Sequence, residues 1–170
     1  MLRIRNKYHG EVIGDAPKRF SLLYQLYLTG LASRRFMRQA LEGTGMTGEE
    51  YALLSYLYGN GPRTLSQASR DFGFAITTVA TMLAPLFEAG ELERTPHPTD
   101  RRARLIGLTD AGRQRMERAI PAYTAAYREL LAQLERDGAD VETIFEALRA
   151  LRVAVVGTSE ALERHDARSA

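Results

Sequence analysis

The chain contains no cysteine, which excludes disulfide stapling, thiolate metal sites, iron–sulfur clusters, a cysteine nucleophile and thiol-based redox sensing. No stretch approaches the roughly 18–20 apolar residues needed to span a bilayer. The opening MLRIRNKYHGEVIGDA alternates charge with apolar side chains instead of building a signal-peptide core. No membrane association is expected, and the chain reads as cytoplasmic. There is no phosphate loop, no dinucleotide fingerprint and no histidine pair at metal spacing, since His9, His97 and His165 are scattered. Asp71-Phe72-Gly73 matches a kinase tripeptide, but neither a glycine-rich loop nor a catalytic loop surrounds it. No cofactor, no metal and no enzymatic activity are therefore expected.

A strong charge of one sign is missing too, because 23 basic and 21 acidic residues leave only +2 over 170 residues. As a sum this is weak evidence for a polyanionic partner. The distribution is more informative. Residues 1–46 carry +5, 47–95 carry −3, 96–118 carry +3 and 119–170 carry −3. The third block gathers Arg101, Arg102, Arg104, Arg113, Arg115 and Arg118. A chain of this length, 45% hydrophobic and 26% charged, can bury one core.

Apolar periodicity predicts a helix from Pro17 to about Glu42, with Phe20, Leu23, Tyr27, Leu31, Met37 and Leu41 at helical intervals and Gly43 and Gly45 ending it. Thr47 and Glu50 form a capping-box signature for a second, buried helix closed by Gly59. After a turn at Gly59-Asn60-Gly61-Pro62, Arg63-Thr64-Leu65 allows only a short strand. Two short helices then follow, about 65–72 with Thr64 or Ser66 as cap and about 75–89 between Gly73 and Gly90. Their separation of two or three residues is that of a helix-turn-helix. Glu91 to Thr95 and Leu105 to Leu108 read as strands joined by a polar, basic connection. A helix-turn-helix followed by such a hairpin is a winged helix, whose wing offers arginines to phosphate or the minor groove.

Thr109 and Asp110 open a long helix. Met116, Ile120, Tyr123, Tyr127, Leu130 and Leu134 recur along it at the seam spacing of helix-on-helix packing, with Pro121 expected to bend it. Asp137-Gly138 breaks it. A last helix carries Val141, Ile144, Leu148, Leu151 and Val155 and loses its pattern from Gly157, where the end is expected to fray. The fold class expected is mainly α with a small β-hairpin wing.

The string DRRARLIGLTDAGR at residues 100–113, preceded by Leu86-Phe87-Glu88-Ala89-Gly90, resembles the MarR family of winged helix-turn-helix transcription regulators. The resemblance rests on Leu86 and Gly90, on Asp100 and Arg102 in the wing, and on Leu108, Thr109 and Gly112 opening the next helix, and it spans about residues 17–155. It implies an N-terminal arm at 1–16, a winged-helix lobe at about 47–112, dimerisation helices at about 17–43 and 110–156, and a tail at 157–170. It further implies a homodimer on a pseudo-palindromic operator in double-stranded DNA, acting as a repressor relieved by a small aromatic or phenolic ligand.

The residues assigned to DNA are Ser66, Gln67, Thr77, Thr78, Thr81, His97, Arg101 and Arg104. Ser66 and Gln67 serve equally well as caps, and His97 as a solvated turn residue. Asp100 and Arg102 are expected to form an ion pair shaping the wing. The exposed face of the second short helix lacks any side chain able to make a bidentate guanine contact, so modest direct readout is expected. Pro85 is expected to kink it. A winged-helix scaffold for protein interaction, with weak or no specific DNA binding, is the alternative. Tyr24, Tyr27, Arg34, Arg38, Tyr51 and Tyr123 are candidate ligand-pocket residues, although tyrosines at helical spacing are more often core. Leu23, Met116, Ile120, Tyr127, Leu148 and Leu151 are assigned to dimerisation.

Overall fold

The structure, a computed structural model, describes residues 22–169, the side chains of 160 and 163–169 excepted. The expected arm at 1–16, the helix start at Pro17 and the side chain of His165 lie outside the described residues. Two compact units divide at Phe36 and Met37. Helix α1 (Leu22–Ala40) begins in the first. Its Leu22, Leu23, Tyr27 and Leu31 are exposed.

The second unit holds α2 (Gly48–Asn60), β1 (Arg63–Thr64), α3 (Leu65–Phe72), α4 (Ile76–Glu88), β2 (Leu92–Pro96), β3 (Arg104–Leu108), α5 (Asp110–Arg136) and α6 (Val141–Ser169). The fold is mainly α with a small antiparallel sheet, as the sequence pattern predicts. Thr47 Oγ1 accepts from the Glu50 amide while the Glu50 carboxylate accepts from the Thr47 amide, so the capping box that starts α2 is complete. The helix runs one residue past Gly59 and is capped by Gly61 at φ 71°. Tyr51, Leu53, Leu54 and Leu57 bury most of its circumference, which is why its sequence shows no amphipathic stripe.

Around α2 pack Val79, Leu83 and Leu86 from α4, Leu92 and Ile106 from the sheet, and Met116 and Ala119 from α5. Leu54, Val79, Leu86 and Met116 are almost fully enclosed, and each such side chain contributes about 1.5–3 kcal/mol through burial. The sheet has three strands in the order β1-β3-β2. Arg63 pairs with Ile106 and Thr64 with Leu105, so the short link before α3 is pinned to the hairpin rather than standing alone.

Helix α5 stays continuous through Pro121 and α4 through Pro85. Pro85 lies in the last turn of α4 and has no N–H to give the Thr81 carbonyl, a loss confined to one bond near the end of the helix. Helix α6 continues beyond Gly157 to Ser169, past the point where the apolar repeat weakens. Met116 and Ile120, expected on a dimer seam, instead pack into this chain's own core. The first turns of α5 lie against α2, so the seam spacing there serves an internal helix pair. Among the described residues no helix is long and apolar enough to cross a membrane.

Candidate nucleic-acid interface

Two helices and a hairpin make one surface. Thr64 Oγ1 accepts from the Gln67 amide, and Gln67 Oε1 accepts from the Thr64 amide at 2.8 Å. Thr64 is therefore the cap of α3, not Ser66, and the oxygen of Gln67 is committed to the capping box, leaving its NH2 group as the part it can offer elsewhere. Ser66 is exposed in the first turn. Gly73, at φ 71° and ψ 34°, ends α3 in the left-handed conformation that favours glycine. Ser69 Oγ then donates to the Phe74 carbonyl at 2.6 Å and fixes the turn.

Helix α4 starts at Ile76, and its N-cap residue Ala75 offers no side-chain hydrogen bond. Thr77, Thr78 and Thr81 are exposed on it, as are Phe74 and Ile76. Thr81 donates its hydroxyl proton to the Thr77 carbonyl at 3.0 Å. The buried edge carries Val79, Leu83 and Leu86 into the core, which fixes which side of the helix faces out.

The wing is built by β2 and β3 in register from Leu92 against Leu108 to Pro96 against Arg104. Its tip is ordered by two side chains. His97 Nδ1 accepts from the amides of Thr99 and Asp100 at 3.3 and 3.2 Å, so this ring nitrogen acts as an acceptor inside the loop. Asp100 Oδ1 accepts from the Arg102 amide at 2.9 Å. The expected ion pair between Asp100 and the Arg102 guanidinium is not what shapes the wing. A carboxylate two residues before an amide closes an Asx turn with the main chain instead. Arg101, Arg102 and Arg104 are all exposed, so Arg102 joins Arg101 as a free-standing tip cation.

Several organising residues carry no local sequence signal. Arg94 of β2 stacks its guanidinium 3.9 Å above the Phe87 ring and ties the wing to α4. Arg115 donates to both oxygens of Glu91 at 2.7 Å, to the Gly45 carbonyl at 2.7 Å and to Glu50 at 3.0 Å. Burial works against the Glu50 carboxylate, but hydrogen bonds from Thr47 and the charge of Arg115 outweigh it and hold its pKa below the usual value. Tyr56 donates to Asp71 at 2.6 Å, which gives the kinase-like tripeptide a structural use. Burial, then this bond, raise the Tyr56 pKa to about 12. The partners of Arg115 lie 24, 65 and 70 residues away, beyond the reach of any spacing rule.

Of the candidate pocket residues, Tyr51 is buried and its ring centroid lies 4.4 Å from that of Tyr123, which stacks in turn on Tyr127 at 5.8 Å. Tyr51 thus serves the core. Arg38 is exposed. Tyr24, Tyr27 and Arg34 belong to the unit ending at Phe36, where each is exposed.

A helix-turn-helix whose second helix is presented beside an arginine-tipped hairpin defines the chain as a winged-helix protein. Its fold is that of the MarR family. Superposition on apo MarR from E. coli gives a TM-score of 0.61 at 21% identity, covering 79% of this chain and 98% of that one. The S. aureus MepR–DNA complex gives 0.62 at 22% identity, covering 82% and 99%. Reduced AbfR bound to DNA gives 0.61 at 26% identity, covering 79% and 93%. No protein-family model matches the sequence, and neither does any curated protein.

Proposed function

We propose that this chain is a dimeric, sequence-specific DNA-binding transcription regulator, acting as a repressor that a small aromatic ligand relieves. The observation that carries the reading is α4, exposed along Ile76, Thr77, Thr78 and Thr81 and joined through Phe87 and Arg94 to a hairpin whose tip bears Arg101 and Arg102. Such an arrangement puts a helix in the major groove and a basic loop on phosphate or in the minor groove. The likeness to AbfR, solved on DNA, supports it. In this reading residues of about 47–112 form the DNA-reading lobe, and helices at about 17–43 and 110–156 form the dimer. Leu148, Leu151 and Tyr127 serve that interface. Tyr123 and Tyr127, whose rings stack at 5.8 Å outside the buried Tyr51, supply the aromatic groups for such an effector.

The test is binding of the full chain to its own promoter region at low salt, followed by footprinting. Two protected half-sites about one helical turn apart are expected. Replacing Arg101 and Arg102 by alanine should weaken binding across sequences and make the salt dependence shallower, by about one unit of log–log slope for each phosphate that is no longer neutralised. A specific-to-nonspecific affinity ratio near one would overturn this reading in favour of a protein-interaction scaffold.

A further inference from the structure

From Gly73 through Phe87 the chain carries no charged residue, and this stretch contains the turn and nearly all of the helix proposed to meet the major groove. Phe74 and Ile76 are 50% and 48% exposed at the start of α4, the end from which such helices contact base edges. Ile76, a branched aliphatic residue at the first helical position, leaves about half of its surface uncovered and does not belong to the core, so the core does not require it there. Thr81 adds a second apolar group. A hydroxyl has one proton to donate, and that of Thr81 is spent on the Thr77 carbonyl. It has none left for a base acceptor, and the methyl remains as an apolar contact group.

The major groove displays one apolar feature, the C5-methyl of thymine. We propose that α4 selects its sites through thymine methyl groups, with Ile76 and the γ-methyl of Thr81 as specificity-determining contacts and Phe74 flanking them. This rests on the DNA-binding reading above and names what that reading would recognise: thymine-bearing steps in each half-site, with guanine passed over for lack of a bidentate donor. Thr77 and Thr78 keep hydroxyls for a base edge or a phosphate and orient the helix without setting this preference. Wing arginines supply affinity that does not depend on the methyls.

The experiment uses the full chain and duplexes it enriches from a randomised pool. Each thymine under the protected half-sites is exchanged for deoxyuridine, which deletes the methyl and keeps the pairing edge. At a contacted position the affinity should fall about fourfold, the factor equivalent to one buried methylene or methyl. Exchanges in the flanks should leave it unchanged. T81S keeps a hydroxyl for Thr77 and removes only the methyl. It should bind the thymine duplex about fourfold more weakly and lose nothing further at one exchanged position, and I76A, which deletes three carbons, should weaken binding by about fourfold or more and lose nothing further at another. Both residues are exposed, so the variants should fold as the parent does. A duplex bound specifically but indifferent to every exchange would overturn the thymine inference alone. So would variants that still lose affinity on exchange at every position. Failure to enrich any duplex would overturn the DNA-binding reading and this inference with it.

Discussion

Arg115 is one side chain on which three separate segments converge. Its side chain is 17% exposed, and its guanidinium joins the start of α2 through Glu50, the turn after α4 through Glu91, and the Gly45 carbonyl. Removing it strands the buried Glu91 carboxylate, so R115M should lower unfolding stability by about 2–3 kcal/mol in urea denaturation. The pH dependence has a definite sign. Because the folded pKa of Glu50 lies below its ordinary value of 4.5, the stability it confers is fully present above that value. It is lost as pH falls through the folded pKa. Stability measured by urea denaturation should therefore decline below about pH 4.5, and less steeply in R115M. Gly112 makes a second point at the same scale. A Cβ there would run into the carbonyl of Glu91, an oxygen already accepting from the Thr109 amide at 3.0 Å. Glycine to alanine inside a helix ordinarily gains about 1 kcal/mol. Here G112A should instead cost about 1–3 kcal/mol by forcing backbone apart, measurable as a lower thermal midpoint.

Among the elements, what the sequence made legible is what short-range chemistry controls. The Thr47–Glu50 capping box joins residues three apart, the glycines at 73 and 90 have φ of 71° and 70° at helix ends, and the change of period after Gly90 marks the hairpin. The sequence leaves the cap of α3 open between Thr64 and Ser66, and the structure pairs Thr64 with Gln67. Long-range matters were not legible. The pairing of β1 with β3, the stacking of Arg94 on Phe87 and the burial of Met116 depend on which element arrives alongside, and local spacing carries no information about that. Asp100 shows how a correct residue can be given the wrong partner. Its spacing to Arg102 suits an ion pair and an Asx turn alike, and the main-chain amide prevails. The two readings separate experimentally. Asparagine offers the same acceptor oxygen without the charge, so D100N should keep the Arg102 amide protected from hydrogen exchange, whereas D100A should expose it. In both, global stability should change by no more than about 0.5 kcal/mol, the scale of surface substitutions. An ion pair would instead fail in both variants.

For the molecule as a whole, α6 raises the question of what covers it. It spans Val141–Ser169, and none of its described residues is buried. One flank already has a partner within the chain. Arg152 donates to the Asp71 carbonyl at 2.6 Å, and Val156 stands against Gly73 at the helix-turn-helix turn. Elsewhere Phe145 and Val153 are each 65% exposed, Leu148 is 48% exposed and Leu162 is 61% exposed, more apolar surface on one helix than a solitary soluble chain ordinarily presents. The proposed homodimer accounts for this surface, and obligate dimer interfaces are of the apolar kind that such a helix supplies. Because the same helix touches the turn before α4, assembly and DNA reading would share an element. L148E places a charge in the middle of the apolar surface without disturbing the core, to which Leu148 does not belong. It should sediment as a monomer at concentrations where the parent is a dimer, and keep the helical content of the folded chain. Its affinity for a duplex with two half-sites should then fall to that for a single half-site, since the second site is no longer held at a high effective concentration. A variant that stays dimeric would move the interface off this face of α6.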